Sequence, residues 1–349
     1  MSQTNPAATS TPVKISPDAE DKKHDEQTRF EDFAKEIGKR QQRLAGRHPP
    51  MRGFHAKRHA GLYAEFHVMP GRPEQARYGV FRETRTFQAV VRFSNGESVS
   101  QPDNKHEPRG IAIKLIGVPG RKLLPGQEDA VTQDFLATSH SVTSAVRDVD
   151  QFMAFVRAKD RGFLLPFKLI GALGIREALR ILWALFRRVV LSNVRSMVTE
   201  HYSSTAPIKL GPYAVKFTVQ PAPGTAETTS RPSTEDFLRD DLAERLRSDI
   251  VLDFLVQFYV DNTRTPIEDT SIAWKTPLQK VAELRIPKCD LNSAEAQTLT
   301  EQVNELSFSP WHATEDHRPL GNVMRARRVV YEASSALRGH RPEPDRLPL

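Results

Sequence analysis

The strongest constraint on this chain is a two-residue hydrophobic period that returns in segment after segment. Leu62, Ala64, Phe66 and Val68 alternate with Tyr63, Glu65 and His67. Far downstream, Leu252, Phe254, Val256, Phe258 and Val260 alternate with Asp253, Gln257, Tyr259 and Asp261. Successive side chains of a strand point to opposite faces, so each run can bury one face and leave the other polar. By the same reading 87–93, 111–116, 133–137, 215–219 and 282–286 are strands. Polar turns separate them. No βαβ rhythm, no Gly-x-Gly-x-x-Gly and no internal repeat occurs, so a nucleotide-binding parallel sheet is not expected. Many strands joined in this way favour an antiparallel barrel.

Helical periods flank these strands. Phe30, Phe33, Ala34 and Ile37 mark an amphipathic helix over about 30–44, ended by Pro49-Pro50, and 296–303 and 324–337 are helical too. The expected class is α+β, an antiparallel β-barrel core with surrounding helices. Residues 1–28 carry almost no large apolar side chains and are expected to be a disordered tail, leaving 29–345 as a single domain. A single cysteine, Cys289, excludes intrachain disulfides, thiolate zinc clusters and iron–sulfur centres. No apolar run follows a basic start, so no secretory signal is visible and a cytoplasmic protein is expected. The net charge of +7 is read as that of a generally basic soluble enzyme, with no nucleic-acid partner.

The stretch 163–198 stands apart. Phe167, Leu169, Ile170, Leu173, Ile175, Leu179, Leu182, Trp183, Leu185, Phe186, Val189 and Val190 are interleaved with Lys168, Arg176, Arg180, Arg187, Arg188 and Arg195. Charges interrupt every apolar run well short of the ~20 residues that a membrane span needs. Two readings stay open: a pair of helices packed on the barrel, or a basic amphipathic patch making peripheral contact with a membrane.

Candidate chemistry lies in several separate segments. Arg327 and Tyr331 share a helix face one turn apart, and Arg338 follows seven residues later. A guanidinium one turn from a phenol favours the phenolate, an anionic donor able to bind iron. Upstream stand Arg52-Gly53-Phe54-His55-Ala56-Lys57, Val91-Arg92-Phe93-Ser94, Pro108-Arg109-Gly110, and Arg147-Asp148 with Phe152 and Phe155 behind them. His55 and His59 have a metal-ligand spacing, but a zinc peptidase needs a glutamate where Ala56 stands. His312 and His317 near Asp316 are read as a solvated loop rather than a metal cluster.

These segments, in this order from Arg52 to Arg338, resemble the haem catalases. The length, and Ser307-Phe308-Ser309-Pro310-Trp311 followed by Pro319-Leu320-Gly321, resemble the small catalase-related branch of peroxidases and hydroperoxide-rearranging enzymes. The resemblance implies haem b, with iron bound by Tyr331 and the phenolate held by Arg327. It implies His55 as distal acid–base, with Ser94 orienting the imidazole. Arg52, Arg92 and Arg338 would pair with the haem propionates, and Phe93 and Phe152 would supply apolar contacts. A homo-oligomer is also compatible with it.

One position departs from the family. Where catalases carry an asparagine beside the distal histidine, counting back from Arg147-Asp148 gives His140. Thr143, Ser144 and Ala145 are small or polar where bulkier residues are usual. The expectation is a haem-dependent oxidoreductase acting on hydrogen peroxide or, through a wider pocket, on an organic or lipid hydroperoxide. The alternatives are a fatty-acid hydroperoxide isomerase or lyase resembling allene oxide synthase, and a non-catalytic haem-binding protein.

Overall fold

A computed structural model describes residues 11–16, 19–48, 51–139, 143–160, 162–187, 194–226, 234–339 and 341–348. The alternating runs pair into an antiparallel sheet that curls until its ends meet. In chain order the strands are β1 (Arg58–Val68), β2 (Thr86–Asn95), β3 (Arg109–Ile116), β4 (Thr132–Thr138), β5 (Tyr202–Ser203), β6 (Ile208–Leu210), β7 (Tyr213–Pro221), β8 (Ile250–Phe258) and β9 (Gln279–Ile286). Across the sheet they run β5-β4-β3-β2-β1-β9-β8-β7-β6. β5 pairs with β4 on one side and β7 on the other, so eight strands close and β6 hangs on β7 outside the ring. Closure leaves no open edge among the eight.

The inward faces carry the aromatic residues. Phe66, Phe81, Phe135, Phe217 and Phe254 meet with ring centroids 5.1–6.2 Å apart. Burial of each such ring stabilises the fold by roughly 1.5–3 kcal/mol. Side chains therefore fill the centre, and a large ligand has to be sought outside the barrel wall.

Seven helices are described: α1 (Glu26–Ala45), α2 (Val149–Lys159), α3 (Leu165–Leu173), α4 (Ile175–Leu185), α5 (Phe237–Arg245), α6 (Ala294–Glu305) and α7 (Asn322–Ala336). Phe30, Phe33, Ile37, Val149, Met153, Val156 and Ala326 join α1, α2 and α7 in one apolar cluster. Asp148 caps α2 by accepting the Gln151 N–H at 2.9 Å. Residues 163–187 form the α3–α4 hairpin, whose buried face rests on α2 through Leu169, Ala178 and Ile181. It therefore packs on a helix and not on the barrel as expected; residues 188–193 lie outside the described residues.

The expectation of a disordered tail needs correction. Val13 donates its N–H to the Tyr259 carbonyl at 3.1 Å, and Ile15 to that of Pro212 at 2.9 Å. Glu20 pairs with Arg318 at 2.7 Å and with Arg325 at 2.8 Å. Composition predicted disorder because few apolar residues are available, but here ion pairs and backbone bonds tether the segment instead. Residues 1–10, 17 and 18 lie outside the described residues.

Candidate active site

His55 sits on the loop that enters β1, with φ at +58°, in the left-handed region. Such a conformation costs about 1 kcal/mol or more for a non-glycine residue and needs its surroundings to hold it. Those holds are visible: the His55 N–H bonds the Gly96 carbonyl at 3.2 Å, and that of Ala56 bonds the Glu97 carbonyl at 3.0 Å. The ring is then fixed by β2, where Ser94 Oγ lies 3.1 Å from His55 Nδ1. Across the sheet Gly110 pairs with Ser94. A Cβ on Gly110 would lie 2.5 Å from His55 Nδ1, so only glycine leaves room for the imidazole. Gly110 is thus a positioning residue: the sequence shows it in Pro108-Arg109-Gly110, just before the expected strand 111–116, and the strand in fact begins at Arg109 and includes it.

The pleat of β2 sorts its own candidates. Arg92 and Ser94 leave one face, and Phe93 must leave the other. Phe93 is fully buried in the barrel core, its ring 6.4 Å from Tyr202. Phe93, expected as an apolar haem contact, therefore stands on the opposite face of β2 from Arg92 and Ser94.

On the face that holds Ser94, three guanidinium groups gather. Arg52 donates to the Asn304 and Leu306 carbonyls at 2.9 and 2.6 Å. Arg92 donates to the His55 carbonyl at 2.9 Å and to Asn304 Oδ1 at 3.3 Å. Arg338 leaves α7 toward the same cluster: burial and the charges of Arg92 and Arg338 push Arg52 well below its ordinary value. Burial, then Arg338 and Arg58, push Arg92 down to about 9. Among the described residues none of the three has a carboxylate partner, and the buried Nε atoms of Arg52 and Arg338 have no acceptor.

The helix α7 supplies the opposite wall. Arg327 Nη2 donates to Tyr331 Oη at 2.8 Å, with its guanidinium carbon 4.9 Å from the ring centroid. The walls are close enough to interact. Burial lowers the His55 pKa to about 3, helped by Arg92, Arg327 and Arg52, and Tyr331 acts on Arg52. Arg52 and His55 are surrounded by protein yet keep accessible surface, as residues lining an internal cleft do. Phe54, which precedes His55, packs against Phe152 of α2 with ring centroids 5.8 Å apart.

The start of α7 is anchored with care. Gly321, at φ +86°, precedes it where a Cβ would meet the Ile267 carbonyl oxygen at 2.6 Å. Arg325 pairs with Glu20, Glu26 and Glu268 at 2.8, 2.7 and 3.0 Å. Asn322 accepts the Val149 N–H at 3.0 Å and donates to Glu26 at 2.9 Å, linking α7 to α2 and α1. None of this was signalled by sequence spacing.

The donor set fits a haem. A half-buried phenol with a guanidinium partner lies near an imidazole, and three neighbouring arginines lack the two carboxylates that propionates would bring. Other candidates fall elsewhere. His140 lies outside the described residues, as do Ser141 and Val142. Ser144 N–H bonds the Thr270 carbonyl at 2.8 Å, and the Ala145 carbonyl accepts from Arg180 at 3.1 Å. His59 bonds Asn95 Oδ1 at 2.7 Å. The solvated loop expected around His312 and His317 is corrected: both are buried. His312 and Lys114 share Asp134 and Glu343, and His317 accepts the Val80 N–H at 2.9 Å inside the barrel.

No family model matches the chain, and no curated protein matches it. Among solved structures it is similar to a bacterial catalase, with a TM-score of 0.64 at 15% identity over 98% of this chain and 66% of that one. A fungal catalase is similar with a TM-score of 0.62 at 16% identity, covering 87% of this chain and 61% of the other. The chain thus spans less than two thirds of the length of these catalases. The likeness shows the fold: a closed antiparallel barrel with surrounding helices, of the catalase type.

Proposed function

We propose that this protein is a haem b-dependent oxidoreductase of the small catalase-related kind, acting on hydrogen peroxide or an organic hydroperoxide. The observation that supports the reading is the cluster of Arg52, Arg92 and Arg338, desolvated near His55 and, among the described residues, without a carboxylate partner. Buried cations are ordinarily paired, and a dianionic ligand would pair these.

In this reading Tyr331 provides the phenolate oxygen and Arg327 holds it in place. Bound haem would supply the redox-active iron at which a peroxide O–O bond can break. His55 is neutral at physiological pH and can take a proton from the peroxide hydroxyl. Ser94 engages Nδ1, which leaves Nε2 to act. Burial depresses His55 most; of the arginines that add to it, Arg92 and Arg52 are ones the propionates would neutralise, so an occupied site would return part of the basicity to the imidazole. The same Nε2 can then return the proton to the departing oxygen.

The test is the optical spectrum of the full chain produced with haem supplied, followed by product analysis with hydrogen peroxide and a fatty-acid hydroperoxide side by side. A Soret band with high-spin ferric features and turnover of either substrate is expected. A colourless protein overturns the reading. Oxygen release, substrate reduction and rearrangement separate dismutation, peroxidation and isomerisation.

A further inference from the structure

We propose that the α3–α4 hairpin docks this protein onto an anionic membrane surface. A helix that packs on a protein needs one apolar face. These helices have two. Leu169, Ala178 and Ile181 are buried against α2, while Phe163 (87% exposed), Phe167 (71%), Ile175 (61%), Leu179 (56%) and Trp183 (62%) stand in water. Ile175, Leu179 and Trp183 recur every fourth residue along one side of α4, and Phe163, in the 3-10 turn that leads into α3, is four residues from Phe167 on α3. Trp183 and Phe186 stack with centroids 5.8 Å apart, so the patch is already assembled in the free chain.

Charge selects the occupant. Exposed Lys168 on α3, Arg176 on α4 and Arg187 just past the end of α4 have no ion-pair partner among the described residues. Within 162–187 the only acid is Glu177, which is taken up by Arg147 at 3.0 Å and Arg180 at 2.9 Å. A second copy seated on this face by a two-fold axis would bring two unpaired cation sets together. An anionic bilayer instead accepts both features: rings sink to the headgroup boundary while lysine and arginine meet phosphates. Among the described residues no helix is long and apolar enough to cross a membrane, so the hairpin would lie in the interfacial plane. α2 links it to the loop that carries His55, since Phe152 packs both on the hairpin cluster and against Phe54. The proposal does not depend on the chemistry proposed above.

The experiment is co-sedimentation of the full chain with phosphatidylglycerol–phosphatidylcholine vesicles and with pure phosphatidylcholine vesicles, at low and at high salt. Binding is expected with the anionic vesicles at low salt and is expected to fall about tenfold or more at high salt. Trp274 and Trp311 are buried, so a vesicle-induced blue shift of fluorescence should come from Trp183 and vanish in Trp183→Phe. The combined variant Phe163→Ala, Phe167→Ala and Trp183→Ala keeps every charge and alters only exposed positions. It should retain its circular dichroism yet lose about tenfold or more of the binding. No sedimentation at low salt overturns the proposal. Unchanged binding of the triple variant also overturns it, leaving only diffuse positive charge. A concentration-dependent dimer broken by the same variant would assign the face to a second copy.

Discussion

Arginine is used in opposite ways at the two ends of α7. Near its start Arg325 is saturated, with three carboxylates around one guanidinium. Near its end Arg338 joins Arg52 and Arg92 in a cluster with no carboxylate partner among the described residues, where each depresses another or is depressed by burial. The saturated end is complete in the chain itself and behaves as structure. In the proposed reading the starved end is completed by a ligand that brings negative charge. That contrast locates a binding site more sharply than any single residue does.

The largest expected effect breaks the starved end at its centre. Tyr331→Phe removes the phenol oxygen that Arg327 holds and should reduce haem content about tenfold or more, read from the Soret band of purified protein. Full occupancy with an unchanged spectrum would show that the cleft is not organised around Tyr331. His55→Ala should leave haem bound and slow the reaction with peroxide by about 10²-fold or more in stopped flow. Unchanged kinetics would move the acid–base role away from His55.

A paired substitution sharpens the comparison directly. Arg92→Leu removes a buried cation with no acidic partner, so the haem-free chain should unfold at the same or a higher urea concentration. Haem affinity should fall about tenfold. Arg325→Leu should do the reverse, destabilising the chain by about 3 kcal/mol because Glu20, Glu26 and Glu268 lose their counter-charge. If both variants lose stability alike, the two ends are not different in kind.

The barrel was legible because alternation is local: Leu62 to Val68 and Leu252 to Phe258 announce their inner faces by themselves. The strand that closes the ring was not. β5 is two residues long, too short for any period, and its register is set by Thr138 and Val219 far away in sequence. The helix α7 was legible by period, and its Arg327–Tyr331 contact followed from one helical turn. The Arg52, Arg92 and Arg338 cluster came only from resemblance, because no spacing rule joins a loop, a strand and a helix end. Phe93 was expected as a haem contact, although the strand period sets it opposite Arg92 and Ser94. The saturated end escaped altogether: Glu20 and Glu26 sit in a segment whose composition reads as unstructured, and ion pairs to Arg325 leave no trace in hydropathy.

The smallest expected effect separates the two ends by pH. Burial alone would raise the Glu20 and Glu26 carboxyls, but the Gly321 N–H with Arg318 and Arg325 at Glu20, and Arg325 with Asn322 at Glu26, outweigh it and hold both below 4.5. A depressed carboxylate stabilises the fold above its unfolded value, and that stability is lost as pH falls through the folded value. At the starved end the sign is the same but the window is higher. His55 is held at about 3 against an ordinary 6.5, so the unfolded chain binds the extra proton first and stability begins to fall below about 6.5. Urea unfolding of the haem-free chain should therefore weaken in two stages, one below about 6.5 and one below about 4.5. The combined Glu20→Gln and Glu26→Gln variant should lower stability near neutrality and flatten only the second stage. His55→Ala should flatten part of the first and leave the second, with His317, held at about 4, supplying much of what remains. Loss of the upper stage in the glutamine variant would mean that the carboxylate clamp and the cleft titrate as one unit, and the division of α7 into two ends would not stand.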